Sequence, residues 1–348
     1  MNKSVLSFTK KTICLVAPFL VASIIYIVND PYMVLHRYKR YDSTCLFLNE
    51  HYVGWQTYLN NRDSVHYDSF IMGNSFTMAF KSASWKKYLN SDDRVLRLFG
   101  NAERLSSVYA KIKALDKVHA PIKHILLVAD KNLMDNTPLT PSALNLLPPG
   151  ESNITNANFQ KSFLQSFFIP TNMYAYLNYS ICKTYHKYMK GVINPYGIVH
   201  DPVTLDAVNP HDKEIALYHD RYWTIFKSRF PQRSGLNADF TPVIKQSQKD
   251  LLLRIKQLCD KNHTDIKIIM GPDYKQVKFN PKDIAILQQI FGKNNVYDFT
   301  GINTYTEDIH NYYEAAHFRP TVGDKLLQVV YGQSSRSNSA ETAAHNKL

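Results

Sequence analysis

Hydrophobic positions along this chain fall into three patterns. The first is one long block: residues 12–28 read TICLVAPFLVASIIYIV without a charge, after Lys3, Lys10 and Lys11 and before Asn29-Asp30-Pro31. At ~1.5 Å per residue this is about 25 Å of helix, close to the ~30 Å hydrocarbon core once interfacial flanks are added. Pro18 is tolerated there, because membrane helices accept proline better than soluble ones. No A-x-A-like cleavage site follows the block, so the pattern predicts an uncleaved signal anchor with one transmembrane helix. Basic flanks are nearly balanced, with Arg37, Lys39 and Arg40 on the far side. The N-terminal lysines are nearer the block and Asp30 lies beyond it, which predicts that the body lies outside the cytoplasm.

The second pattern is five short, near-continuous apolar runs: 69–72 (SFIM), 95–99 (VLRLF), 124–129 (HILLVA), 266–270 (IKIIM) and 296–299 (VYDF). Such runs suit strands covered on both faces, hence a parallel sheet. The third pattern is helical spacing between them. Leu105, Val108, Tyr109, Ile112, Leu115 and Val118 precede the third run. Thr241-Pro242 opens a helix carrying Leu251, Leu252, Ile255, Leu258 and Cys259 towards the fourth, and Asn280-Pro281 caps another with Ile284, Leu287 and Phe291 before the fifth. This alternation predicts a three-layer α/β fold around a five-stranded parallel sheet.

Residues 1–30 are then a cytoplasmic tip and anchor, 31–66 a Tyr-rich connector, and 67–332 the α/β domain. Within it, residues 130–240 break the alternation and are too long for one loop, which predicts a mostly helical insertion. Its rings, as in NMYAYLNYSICKTYHKYMK, suit packing onto the core better than a sugar-binding surface. Residues 333–348 offer almost nothing to bury and read as a disordered tail.

Composition narrows this little. The chain is 45% hydrophobic and 13% aromatic, enough for an ordered core and far from a disordered chain. Its net charge of +12 is dispersed, without a zinc finger, RNP-like motif or dense basic helix, so no nucleic-acid partner is expected. The charge suits anionic lipid head groups or acidic polysaccharide equally well. Cys14, Cys45, Cys182 and Cys259 form no CxxC pair and no disulfide framework. Metal-ligand spacings and a phosphate loop are also absent, so neither metal nor cofactor is expected.

Two segments carry candidate chemistry. The first run leads straight into Gly73-Asn74-Ser75-Phe76-Thr77, which places a serine just past a strand end, where open α/β sheets bind ligands. Glycine allows a sharp turn there, although Gly-Asn-Ser is also an ordinary turn sequence. After the fifth run comes Glu314-Ala-Ala-His317-Phe-Arg-Pro320. On a helical turn, Glu314 and His317 would share one face, the carboxylate holding one imidazole nitrogen and leaving the other as a base. Asp308 and His310 are nearby alternatives.

Together, Asp68-Ser-Phe-Ile-Met-Gly-Asn-Ser75 and Glu314-x-x-His317-Phe-Arg-Pro resemble the G-D-S and D-x-x-H blocks of the SGNH/GDSL hydrolase superfamily. The likeness is closest to membrane-anchored cell-envelope members related to polysaccharide O-acyl-transfer proteins, and it covers roughly residues 67–130 and 240–330. Asn74 stands where Asp is usual, and Glu314 keeps a carboxylate on a longer arm. The resemblance implies a flavodoxin-like (SGNH) fold with Ser75 as nucleophile, His317 as base and Glu314 as orienting acid. It also implies oxyanion donors at Gly100 and, more weakly, at Asn132. The activity implied is that of a single-pass membrane serine esterase or O-acyltransferase, with an extracytoplasmic domain (periplasmic in a Gram-negative cell). It would act on acyl groups, foremost O-acetyl, of an envelope glycan, with a multipass membrane acyltransferase as candidate partner. The alternative is a non-catalytic glycan-binding or scaffold protein on a degenerate SGNH fold.

Overall fold

Each of the five apolar runs forms a strand: β1 (Ser69–Gly73), β2 (Val95–Arg97), β3 (His124–Ala129), β4 (Asp265–Met270) and β5 (Val296–Asp298). This computed structural model describes residues 3–195, 200–233 and 239–345. The strands are all parallel and lie in the order β2-β1-β3-β4-β5. β1 lies between β2 and β3, pairing Ser69 with Val95 on one side and with His124 on the other. Strand order reverses between β1 and β3, so their carboxyl ends flank the crevice that such a switch opens.

Both faces of the sheet are covered, as the unbroken apolar runs require. Phe70, Met72, Leu96, Ile125 and Leu127 face the helices Glu50–Val65, Leu105–Lys117, Gln246–Lys261 and Pro281–Phe291. On the other face Ile71, Leu126, Val128 and Ile269 meet Trp85, Tyr222 and the start of the helix Pro320–His345 through Val322, Leu326 and Leu327.

Several boundaries differ from the sequence reading, each for a local reason. The helix expected from Thr241-Pro242 begins at Gln246. Upstream, the Val243 and Ile244 N–H groups donate to the Asp283 carboxylate at 2.8 and 3.2 Å, which holds that stretch out of the helix. The Asn280-Pro281 cap forms as expected, with Asn280 Oδ1 accepting the Lys282 N–H at 3.0 Å. Sixteen residues of the connector form the helix Glu50–Val65, capped by Asn49, and its Trp55 and Tyr58 are buried in the core. The last helix continues past Gly332 to His345, through most of the stretch read as disordered. That stretch contains no proline or glycine to stop it.

The amino-terminal helix is Lys3–Asn29, and its residues Ser7–Asn29 are long and apolar enough to cross a membrane. About half of the described residues in the 130–240 insertion are helical, fewer than the mostly helical insertion expected, and the insertion divides between the two faces. Its helices Asn156–Phe167 and Pro170–Cys182 pack with the connector and the amino-terminal helix. Tyr222, Trp223 and Phe230 join the opposite face, so these rings serve as packing.

Candidate active site

Beyond β1 the chain turns at Gly73, whose φ is +137° and whose missing Cβ would sit 2.0 Å from the Val128 carbonyl oxygen. Only glycine fits a backbone so bent and so close to its neighbour. Asn74 then caps the 3-10 turn Ser75–Ala79, its Oδ1 accepting the Phe76 N–H at 3.0 Å. Asn serves a cap as well as Asp does. Below it, Thr77 Oγ1 donates to the Asn74 carbonyl at 2.8 Å and accepts from the buried Arg97 Nη1 at 3.1 Å. Arg97 is itself held by the Leu205 carbonyl, on Nε at 2.9 Å, and lies over the Phe99 ring. The turn that presents Ser75 is therefore braced from inside the sheet, and Ser75 remains part-exposed.

The second part is a β-hairpin of β6 (Tyr312–Glu314) and β7 (His317–Phe318). Glu314 and His317 pair across its Ala315-Ala316 corner. This corrects the expected helical turn: the three-residue spacing is the same, but the two side chains meet across antiparallel strands. Glu314 Oε1 accepts from His317 Nδ1, and Glu314 Oε2 accepts the Ala316 N–H at 2.6 Å. With Nδ1 donating, His317 Nε2 is the acceptor and takes the Ser75 Oγ hydrogen bond at 2.8 Å. Burial pushes the Glu314 carboxyl up, but its hydrogen bonds from His317 and the Ala316 N–H outweigh this and hold it below the usual carboxylate range. A carboxylate, an imidazole and a hydroxyl thus form one hydrogen-bonded line, an arrangement able to draw a proton from serine.

The hairpin is fixed by residues the sequence reading did not single out. Trp223 Nε1 donates to the Tyr312 carbonyl at 3.0 Å, Tyr222 Oη donates to the Tyr313 carbonyl at 2.6 Å, and the Ala315 N–H donates to the Arg229 carbonyl at 3.2 Å. Arg229 is in turn ion-paired with Glu214. The one signal in the sequence was the aromatic density of 130–240, which gives packing without saying against what. Phe76 and Phe318 make an edge-to-face wall beside the imidazole, with ring centroids 5.3 Å apart. Gly271 opposite permits it, since a Cβ there would lie 2.9 Å from Phe76.

The other named candidates lie apart from this line. The Gly100 N–H donates to the Gly73 carbonyl at 3.2 Å, extending the β1–β2 ladder. Asn132 is exposed, with its side-chain amide on Asp130 Oδ2 at 3.4 Å. Asp308 and His310 pair with each other at 2.7 Å, and the His310 ring lies on Trp223. Next to Gly100 is a buried group of charges. The His51 ring lies where a Gly100 Cβ would go, 2.5 Å from its Cε1, and His51 Nδ1 is 3.9 Å from Glu103 and 3.8 Å from Glu151. Lys111 pairs with Glu103, and burial pushes the Glu151 carboxyl up to about 8. Among the described residues no group of three His, Cys, Asp or Glu side chains has the geometry to hold a metal ion.

Compared with known proteins, the chain matches no family model and no curated sequence.

Proposed function

We propose that the protein is a membrane-anchored, SGNH-like serine esterase or O-acyltransferase that acts on acyl groups, foremost O-acetyl, of an envelope glycan. One observation carries this reading: Ser75 Oγ bonded to His317 Nε2 at 2.8 Å, with Glu314 on the opposite ring nitrogen. The strand order, with Ser75 just past β1 at the switch point, and the resemblance of the two motif blocks support it.

In this mechanism Ser75 Oγ attacks the ester carbonyl carbon while His317 Nε2 takes the hydroxyl proton. The ester C–O bond then breaks, and the departing alkoxide takes that proton from His317, leaving an acyl-Ser75. Water, or a glycan hydroxyl, then attacks the acyl carbon and gives its proton to His317, and that proton passes to Ser75 Oγ as the acyl–Oγ bond breaks. Glu314 keeps Nδ1 protonated and stabilises the imidazolium between the two proton transfers. The Ser75 N–H, at the start of its turn, is one of the donors a helix start leaves free of intrahelical bonds, and it can face the oxyanion.

The apolar segment Ser7–Asn29 supports anchoring, and Lys3, Lys10 and Lys11 support an extracytoplasmic body. A multipass membrane acyltransferase supplying the acyl group is compatible with this placement. The second reading, a non-catalytic glycan-binding or scaffold protein, is favoured by the Gly100 N–H being bonded to Gly73 and the Asn132 amide to Asp130. Acetate release or transfer on extracted envelope glycans by the wild type and by Ser75→Ala separates the two. The enzyme reading expects turnover that the variant loses, and the binder reading expects none from either.

A further inference from the structure

The helices Asn156–Phe167 and Pro170–Cys182 meet at a corner that lies against the middle of the anchor. Phe168, in the corner, has its ring centroid 6.2 Å from that of Phe19, and Phe167 is 5.2 Å from Tyr26. Phe19 is about 15 Å along the anchor from Asn29, at ~1.5 Å per residue. If the apolar block of the anchor fills the hydrocarbon core, the corner is at hydrocarbon depth too.

The sequence of this segment agrees with that depth. Residues 162–182 contain no charged side chain, and Lys161 and Lys183 stand at the two ends. A charge-free stretch bracketed by lysines fits a segment that enters an interface and returns, with the ammonium groups in the head-group layer. The Lys183 end lies at the head-group end of the anchor, beside Asn29 and Asp30. Large apolar side chains remain bare on this element: Ile169 is 48% exposed, Tyr174 59% and Ile181 80%. Left in water, these groups would be an unexplained apolar face.

Backbone at a corner in hydrocarbon must also be satisfied from within. Here the Phe168 and Ile169 N–H groups donate to the Leu164 and Ser166 carbonyls at 3.1 and 3.3 Å, and Pro170 has no N–H. Asn172 Nδ2 covers the Ser166 carbonyl at 2.9 Å, and Tyr32 Oη bonds Ser166 Oγ at 3.2 Å.

We infer that this corner is a membrane-embedded wedge: it dips into the leaflet on the domain's side of the bilayer, beside the anchor, and fixes the domain's tilt on the lipid surface. A single transmembrane helix would leave the domain free to swivel, whereas two elements at depth do not.

The test is quenching of an added indole in the full-length protein, reconstituted into phosphatidylcholine vesicles whose chains are brominated at carbons 9 and 10. Trp55 and Trp85 are buried in the domain and Trp223 nearly so, which keeps the background low. Ile169→Trp is expected to lose at least half of its added emission, as Leu20→Trp in the anchor does. Leu217→Trp, at a site 69% exposed on the helix His211–Tyr218, should lose almost none. If Ile169→Trp does not fold, the conservative Tyr174→Trp on the next turn replaces it with the same expectation. An indole in the wedge quenched no more than the one at 217 overturns the inference, whatever the anchor position reports. Ester hydrolysis plays no part in this readout, so failure of the catalytic reading would leave it intact.

Discussion

His317 Nε2 lies 2.8 Å from Ser75 Oγ, although 242 residues separate them. The contact requires two independent pieces of backbone to be held still: the turn after β1, and a hairpin docked beside it. Each piece has its own supports, and each support gives a separate expectation.

Gly73 is the strictest of these. Gly73→Ala would place a Cβ 2.0 Å from the Val128 carbonyl oxygen at a φ of +137°. Strain and overlap together should cost about 3 kcal/mol or more. Urea unfolding checks this, and a variant within ~1 kcal/mol of wild type would show that the β1–β3 contact relaxes easily.

Thr77 joins the buried Arg97 to the Ser75 turn. Thr77→Val keeps the shape but removes an acceptor from Arg97 and a donor from the Asn74 carbonyl, at an expected cost of about 1–3 kcal/mol. The turn should loosen as well as weaken. Reaction of Ser75 with a fluorophosphonate probe should slow roughly tenfold, the ~1.4 kcal/mol that one lost hydrogen bond can account for. Unchanged labelling would assign Arg97 and Thr77 to folding alone.

Glu151 gives a pH expectation. Burial, opposed by Lys111 and reinforced by Glu103, raises its carboxyl to about 8 in the folded protein, against about 4.5 in an exposed chain. Between those values the unfolded chain has released a proton that the folded protein retains. Stability from this group is therefore complete below about pH 4.5 and falls as pH rises to about 8. Glu151→Gln should flatten that fall in a melting-temperature series from pH 5 to 8.5. An equally steep series in the variant would assign the slope to other groups.

The five strands were legible because both-sided burial leaves almost no polar position in them, as in HILLVA. Ser75 was legible because it lies just past the end of β1, and His317 because it shares a Glu-x-x-His block with Glu314 in the stretch after β5. The form of the Glu314–His317 link was not, because a spacing of three residues fits both a helical turn and a two-residue hairpin corner. What selects the hairpin is the docking of Tyr222 and Trp223 onto the carbonyls of β6, contacts across 91 and 89 residues that no local pattern announces. The helix after Thr241-Pro242 starts late for a similar reason: Asp283, from a later helix, captures the N–H groups of Val243 and Ile244. Gly100 is a different case. Its place after β2 suggested a free donor, yet the ladder continues far enough to use its N–H on Gly73.

The most direct test of the catalytic account is hydrolysis of p-nitrophenyl acetate, measured with melting temperature, for the wild type, Ser75→Ala, His317→Ala and Glu314→Gln. The three residues are part-exposed at the sheet's carboxyl edge, so all variants should melt close to wild type. Ser75→Ala is expected to lose about 10³-fold or more in kcat/KM and His317→Ala nearly as much, with Glu314→Gln falling less, because these residues act as one unit. A folded Ser75→Ala protein that hydrolyses the ester at the wild-type rate would contradict the account.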